Sequence, residues 1–488
     1  MLRWLCVLLL CVASASARPF GGVTTAQTFN YYIAASSCSD SNSGTVASPW
    51  CITSLQSGSS NQTAIAQHRV GLLPGTYSMS ALTGDGNYED PLLNIPAGVS
   101  GTPTYVGSSD SSGHYSARTA TLDLTGYTGA NTIIGQNNGG SGYWTVDGIV
   151  INGEGTGSSG SQAPRLIAWY ASTTNGGVTI ENSEFYGLNG GSTCSGNCAL
   201  IYQNTAADTC CVYGTLIKNN YLHNITSSTP DHTHGFEDYW SQGTQIIDNT
   251  FANMTEAIDG KEGDSNDTIA NNYFYNMSSS SGVTIRGYDG ATSNPNSTTL
   301  PAATVDHNVF DSVGQILRGG DVNSSYTTQP DIWYNNTAYL TQSGSFVGMD
   351  LRGNSTYGVV TQYNNIFDYT ANTGGGSYGG LALTSGQVTQ SDYSDYYLHT
   401  NTGGWGLSGT LYNTLSAWTT ASTYDAHSTT GNPTFSTTIV PGNGPTQFQL
   451  GSGSAAMGTG MGGDNMGAWD TGTTQIGASW APYPLPSS

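Results

Sequence analysis

The sequence predicts an all-β chain wound as a right-handed parallel β-helix (solenoid) with loop-rich terminal capping segments. The first observation is a repeated phrase: an apolar residue, two polar residues, Asn, one residue, then Phe or Leu. It reads Ile217-Lys-Asn-Asn220-Tyr-Leu222, Ile246-Ile-Asp-Asn249-Thr-Phe251, Ile269-Ala-Asn-Asn272-Tyr-Phe274 and Val305-Asp-His-Asn308-Val-Phe310. Asn336 and Asn365 continue the series, giving steps of 29, 23, 36, 28 and 29 residues. Units of this size, made of β-branched strands and Gly/Asn/Ser turns, stack because one coil cannot bury its apolar face alone. The second observation is composition: 66 Gly and 30 Tyr among 488 residues, with 9% charged. That share is far below the ~25% of ordinary domains and rules out charged helical bundles. A propeller fits less well, because its blades run longer and need four strands each.

The elements follow in chain order. Residues 1–17 have Arg3, an apolar run and Ala15-Ser16-Ala17, which is the layout of a secretory signal. The mature protein is therefore expected to be secreted, or periplasmic if bacterial. Residues 18–400 form the expected β-helix catalytic domain and 401–488 its capping segment. Six cysteines follow the signal, an even number that suits an oxidising compartment. Cys38 and Cys51 are close enough to staple the first segment; Cys194, Cys198, Cys210 and Cys211 allow three pairings. The repeated Asn is expected to be a ladder of turn residues, tolerating left-handed backbone and bonding the coils above and below.

Ten Lys and Arg stand against 32 Asp and Glu, a net charge of -22. Nucleic acid and anionic membrane surfaces are therefore poor partners, and a monomer is expected. Within this acidic chain, Lys261, Arg286, Arg318 and Arg352 fall past successive Asn phrases, at about the same point of the strand that follows. Arg165 is a further candidate for that column. Equivalent positions of neighbouring coils lie ~4.8 Å apart, so a strip of cations is expected to face a polyanion: an anionic polysaccharide. Tyr239, Trp240, His234 and Tyr288 flank the strip as further substrate contacts. Glu237, Asp238, Glu256 and Asp259 add carboxylates that suit Ca²⁺, a hard cation taking oxygen ligands. His232 and His234 offer nitrogen to a transition metal instead. A polyanionic sugar, a cation and an isolated Lys together suggest β-elimination at a uronate. The alternatives are a hydrolase with paired carboxylates, which needs them about 5–9.5 Å apart, and a glycan-binding adhesin without catalysis.

Two stretches carry resemblances. Tyr32-Ile-Ala-Ala-Ser-Ser-Cys-Ser-Asp-Ser-Asn-Ser-Gly-Thr with Ser48-Pro-Trp, and the tail pieces Asn432-Pro-Thr-Phe and Asp464-Asn-Met-Gly-Ala-Trp, resemble the ends of secreted β-helix polysaccharide-active enzymes. Lys261, with Thr284-Ile-Arg286-Gly one coil later, resembles the catalytic pair of polysaccharide lyase family 6, the alginate lyase and chondroitinase B group. The resemblance implies Lys261 as Brønsted base, Arg286 as acid, and Ca²⁺ held by Glu256 and Asn224. The sequence departs from the family where Met254 replaces a Glu, and where Gly287-Tyr288 follows Arg286 in place of His-Gly.

Overall fold

The computed structural model describes residues 28–84, 89–129, 132–154, 165–190, 198–205, 212–227, 233–261, 266–277, 283–289, 299–300, 303–318, 327–328, 331–341, 348–351, 360–370, 377–383, 388–399, 403–470 and 472–486. Of Lys261, Arg286, Tyr288 and Arg318 it describes the backbone alone. The secretory signal, Cys194, Cys210, Cys211, Asp231, His232 and Arg352 lie outside the described residues.

Three long sheets of 12, 14 and 11 strands run side by side, and the chain visits them in turn. One coil shows the pattern: Gln245–Ile247 in the first sheet, Thr250–Met254 in the second, Glu256–Lys261 in the third. The next coil begins at Thr268–Ala270, paired in parallel on Gln245–Ile247. The fold is the parallel β-helix that the sequence predicts. Inside, like residues stack from coil to coil. Phe251, Phe274 and Phe310 lie ring on ring at 5.1 and 4.9 Å, and Ile201, Phe236, Ile258, Ile285 and Leu317 are register partners in the third sheet.

The Asn ladder is present and occupies the corner between first and second sheets. Each backbone N–H donates to the Oδ1 of the ladder Asn one coil later: Asn220 to Asn249, Asn249 to Asn272 and Asn272 to Asn308, each at 2.9 Å. Asn308 to Asn336 and Asn336 to Asn365 follow at 3.0 Å. Ser183 and Ser394 terminate it. One expectation needs correction. The left-handed residue is the one before the ladder Asn, with φ from 52° to 59° at Asn219, Asp248, Asn271, His307, Asn335 and Asn364. That preceding residue makes the bend, which leaves the ladder Asn buried with its amide aimed along the stack.

Along the Asn ladder this corner has one length. The second-sheet strand starts three residues after the first-sheet strand ends, as at Lys218/Tyr221, Ile247/Thr250, Ala270/Tyr273, Asp306/Val309 and Tyr334/Thr337. Among these coils the variation in length falls on the two borders of the third sheet; an earlier coil departs from the rule, leaving the first sheet at Ser108 and entering the second at Ala120.

At the N-terminus, the expected Cys38–Cys51 disulfide is formed, and Cys198 is also disulfide-bonded. At the other end, the expected cap divides in two. Helix Leu415–Ser422, opened by Thr414 as N-cap, seats Trp418 at 0% exposure over the last coil. From about residue 432 the chain turns back and runs along the outside of the second sheet as a strap. It steps down the stack through Met461 N–H to Asn364 Oδ1 (2.7 Å), Ala468 N–H to Thr337 Oγ1 (2.9 Å) and Gly477 N–H to Asn271 O (2.7 Å). Then come Ala478 N–H to Thr250 Oγ1 (2.9 Å) and Trp480 Nε1 to Asn219 O (2.9 Å). Arg118 closes the series, its guanidinium 3.8 Å above the Trp480 ring. Phe448, Ile476 and Leu485 of the strap pack on Tyr221, Tyr273 and Val309 of the coils.

His307 clamps the middle of the strap. Its Nδ1 lies 2.7 Å from Asp306 Oδ2 and its Nε2 2.9 Å from Asp470 Oδ2. Tyr334 stands edge-on to the ring and Asn335 Nδ2 also donates to Asp470. Two ionised carboxylates accept only, so both ring nitrogens must carry protons. Burial opposes that charge, but the hydrogen bonds His307 donates to Asp306 and Asp470 outweigh it and raise the His307 pKa. The stabilisation is therefore complete below the unfolded value of ~6.5 and lost as pH rises through the higher folded value. Melting temperature should fall across that upper window, and His307→Gln should reduce the fall. An unchanged pH profile in the variant would refute the clamp.

Candidate functional site

The third sheet sets the register of the expected site. Its outer column runs Tyr202, Glu237, Asp259, Arg286, Arg318, Asp350, each the register partner of the next. Of the expected run of cations, Arg286 stacks on Arg318 with a carboxylate residue at each end, and Arg352 lies outside the described residues. Lys261 does not share their column. It partners Tyr239 on one side and Asp289 on the other, because a register shift intervenes between Asp259 and Lys261. Lys261 and Arg286 are therefore diagonal neighbours, with Cα atoms roughly 8 Å apart from ordinary strand spacings. Tyr288 immediately precedes Asp289 on the strand Val283–Asp289.

Beside this column lies a buried cluster. His234, on strand Thr233–Tyr239, is the register partner of Glu256, on strand Glu256–Lys261. Its Nδ1 stands 3.0 Å from Glu256 Oε2 and 3.5 Å from Asp259 Oδ2. One ligand atom each from His234, Glu237 and Asp259 fall within 4.8 Å of one another. All four residues have zero exposure. Burial would push the imidazolium down, but the carboxylates of Asp259, Glu237 and Glu256 outweigh it and raise the His234 pKa. The two carboxylates and the imidazole that converge form a donor set that fits a divalent cation, with Glu256 as a third carboxylate against the imidazole.

Other expected site residues go elsewhere. Asp238 faces away from Glu237, as alternation along a strand requires, and takes hydrogen bonds from Gln203 Nε2 (2.9 Å) and Ser241 Oγ (2.7 Å). Burial pushes its carboxyl up to about 7, against the pull of those bonds. Asn224 belongs to a second amide ladder at the corner before the third sheet, where Asn253 Nδ2 donates to its Oδ1 at 3.1 Å and Asn276 Nδ2 to Asn253 Oδ1 at 2.7 Å. Asn224 is thus a turn residue, with φ 58°. Trp240 ends the strand at 0% exposure, so its ring faces protein rather than a glycan. His234, expected at the substrate, is enclosed among the carboxylates.

Tyr239 keeps a place at the edge. It is partly exposed, and its hydroxyl donates to Glu237 Oε1 at 3.1 Å. It leads into a row that sequence reasoning missed: Tyr239 to Tyr202 at 5.7 Å and Tyr202 to Tyr170 at 5.4 Å between centroids. Arg165 lies 3.3 Å over the Tyr202 ring and donates to the Tyr170 hydroxyl. Its backbone is outside the outer column, but its guanidinium covers one member of it. The one available signal was the rarity of cations, which had already marked Arg165.

No family model matches the chain, and no curated protein matches its sequence. Among solved structures, it is similar to a pectate lyase over 90% of this chain and 95% of that one, at 14% identity and a TM-score of 0.48. The A-module of a mannuronan C-5 epimerase from Azotobacter vinelandii is similar over 78% and 93%, at 13% identity and 0.39. A rhamnogalacturonan lyase is similar over 73% and 86%, at 14% identity and 0.36. At these identities the likeness is one of backbone course.

Proposed function

We propose that this protein is a secreted polysaccharide lyase that cleaves a uronate-containing anionic polysaccharide by β-elimination, with Lys261 as base and Arg286 as acid. The observation that carries the reading is the third-sheet register. In a chain of net charge -22, it brings Lys261, Arg286 and Arg318 onto three consecutive coils beside a convergent set of carboxylates. An acidic protein has little other use for cations arranged along one sheet.

The chemistry follows from what a uronate requires. Its C5 proton becomes acidic once the neighbouring carboxylate is neutralised, and Arg286 supplies that charge while Arg318 holds the chain. Lys261 removes the proton, and Arg286 or Tyr288 offers one to the departing O4. Glu237, Glu256 and Asp259 would hold the cation, Ca²⁺ on the sequence reading, which adds fixed positive charge beside Lys261.

The test is a panel of alginate, chondroitin or dermatan sulfate, polygalacturonate and glucuronan, followed by ultraviolet absorbance of the C4–C5 double bond, with and without chelator. Absorbing product from one polymer supports the reading; new reducing ends without absorbance would replace it with hydrolysis. Arg318→Ala is expected to raise KM severalfold with kcat little changed, since it removes binding shared by ground and transition states. A loss confined to kcat would remove Arg318 from the binding groove.

A further inference from the structure

We infer that the buried cluster is a closed, structural site for a first-row transition divalent cation, with the His234 imidazole as its nitrogen ligand, Glu237 and Asp259 as oxygen ligands and Glu256 beside the imidazole. The inference rests on the view above that these carboxylates hold a cation, and assigns the class of ion and its task. Neither ring nitrogen of His234 makes a hydrogen bond, nor does either carboxylate oxygen of Glu256, although all are buried. The 3.0 Å approach of His234 Nδ1 to Glu256 Oε2 is the distance of an ion pair, and Nε2 on the other side of the ring has no hydrogen-bond partner. Polar groups enclosed in this way normally have partners. An ion among His234, Glu237 and Asp259, whose ligand atoms lie within 4.8 Å of one another, would give the imidazole such a partner.

Two features select the class. Ca²⁺ takes six to eight oxygen ligands and usually keeps water or carbonyl oxygens among them. Here an enclosed imidazole occupies one side, and Asp238 and Asn224, the further oxygen donors expected from the sequence, are engaged elsewhere. Imidazole nitrogen favours the transition ions. Zero exposure of all four side chains matches closed structural centres rather than catalytic ones, which keep an open position. His234 and Glu237 come from one coil and Glu256 and Asp259 from the next, so the ion would tie two coils together directly beside Lys261.

The experiment starts from full-length protein stripped with chelator. It is titrated with Zn²⁺, Mn²⁺ or Ca²⁺ by calorimetry and then melted with each ion. One equivalent of Zn²⁺ and of Mn²⁺ should bind at least tenfold more tightly than Ca²⁺ and raise the melting temperature. His234→Gln should lose about tenfold for the transition ions, with Ca²⁺ affinity little changed. In case that variant fails to fold, Mn²⁺-loaded wild-type protein is examined by pulsed electron paramagnetic resonance, where one coordinated ¹⁴N should modulate the echo. Absence of ¹⁴N modulation, binding of Ca²⁺ as tight as that of Zn²⁺, or no bound equivalent each overturns the inference. The polysaccharide panel separates the two ideas. Unsaturated product without a bound transition ion sinks this site alone, and a bound ion without product sinks the lyase alone.

Discussion

Replacing Lys261 with Ala is expected to lower formation of unsaturated product by about 10²–10⁴-fold, the usual weight of a general base. The fold should survive, because Lys261 is the last residue of its strand and the apolar ladder of that coil is carried by Ile258. The position has chemical sense. Lys261 is bracketed in register by Tyr239 and Asp289, with Arg286 on the diagonal. An amine there stands among groups able to orient it, and the two Arg positions lie on the side where a substrate carboxylate would need neutralising. Product yield would be read with melting temperature in the same preparation. Wild-type activity in a folded Lys261→Ala protein would refute the mechanism, and Lys261→Arg should not restore it, since a guanidinium rests protonated near neutral pH and has no lone pair to take the C5 proton.

Removing the strap should have the largest effect on stability. A chain ending at residue 431 loses Phe448, Ile476 and Leu485, which are 1%, 3% and 5% exposed, along with partly buried Trp469, Trp480 and Tyr483. At ~1.5–3 kcal/mol for each large apolar side chain buried, the loss is on the order of 10 kcal/mol. That rivals the ~5–15 kcal/mol that holds a typical domain together. The truncated protein should melt far below the full chain, or fail to fold, and proteases should cut it among coils 219–311. Trp480→Ala should cost about 2–3 kcal/mol, reduced from a full Trp truncation because the ring is only part buried. A truncated protein melting within a few degrees of wild type would show that the strap merely rests on the coils.

The sequence was most legible where the structure repeats. The Asn phrase marked the ladder because each Asn performs the same bond in every coil, and the apolar residue before it marked the first-sheet core. Cys38 and Cys51 could be paired because they are neighbours in the chain. The site was legible as a neighbourhood and not as an arrangement. Which cation stacks on which depends on a register shift inside the strand Glu256–Lys261, and no residue pattern reports that shift. Asp238 and Trp240 look like site residues by sequence distance, yet alternation and the end of the strand turn them inward. The strap lacks periodicity altogether; its contacts are single residues meeting distant coils, as Met461 meets Asn364 97 positions away and Trp480 meets Asn219 261 positions away.

The fixed corner between first and second sheets has a consequence for how such a chain can change. The coils that carry Asn220 to Asn336 are indexed there by the same three-residue step and the same amide bond. Residues added or removed at the borders of the third sheet leave that index untouched. Loops around the cations can therefore lengthen, shorten or exchange while the count of coils and their vertical spacing stay constant. One corner keeps the ruler, and the opposite side is free to be rewritten for a different polymer.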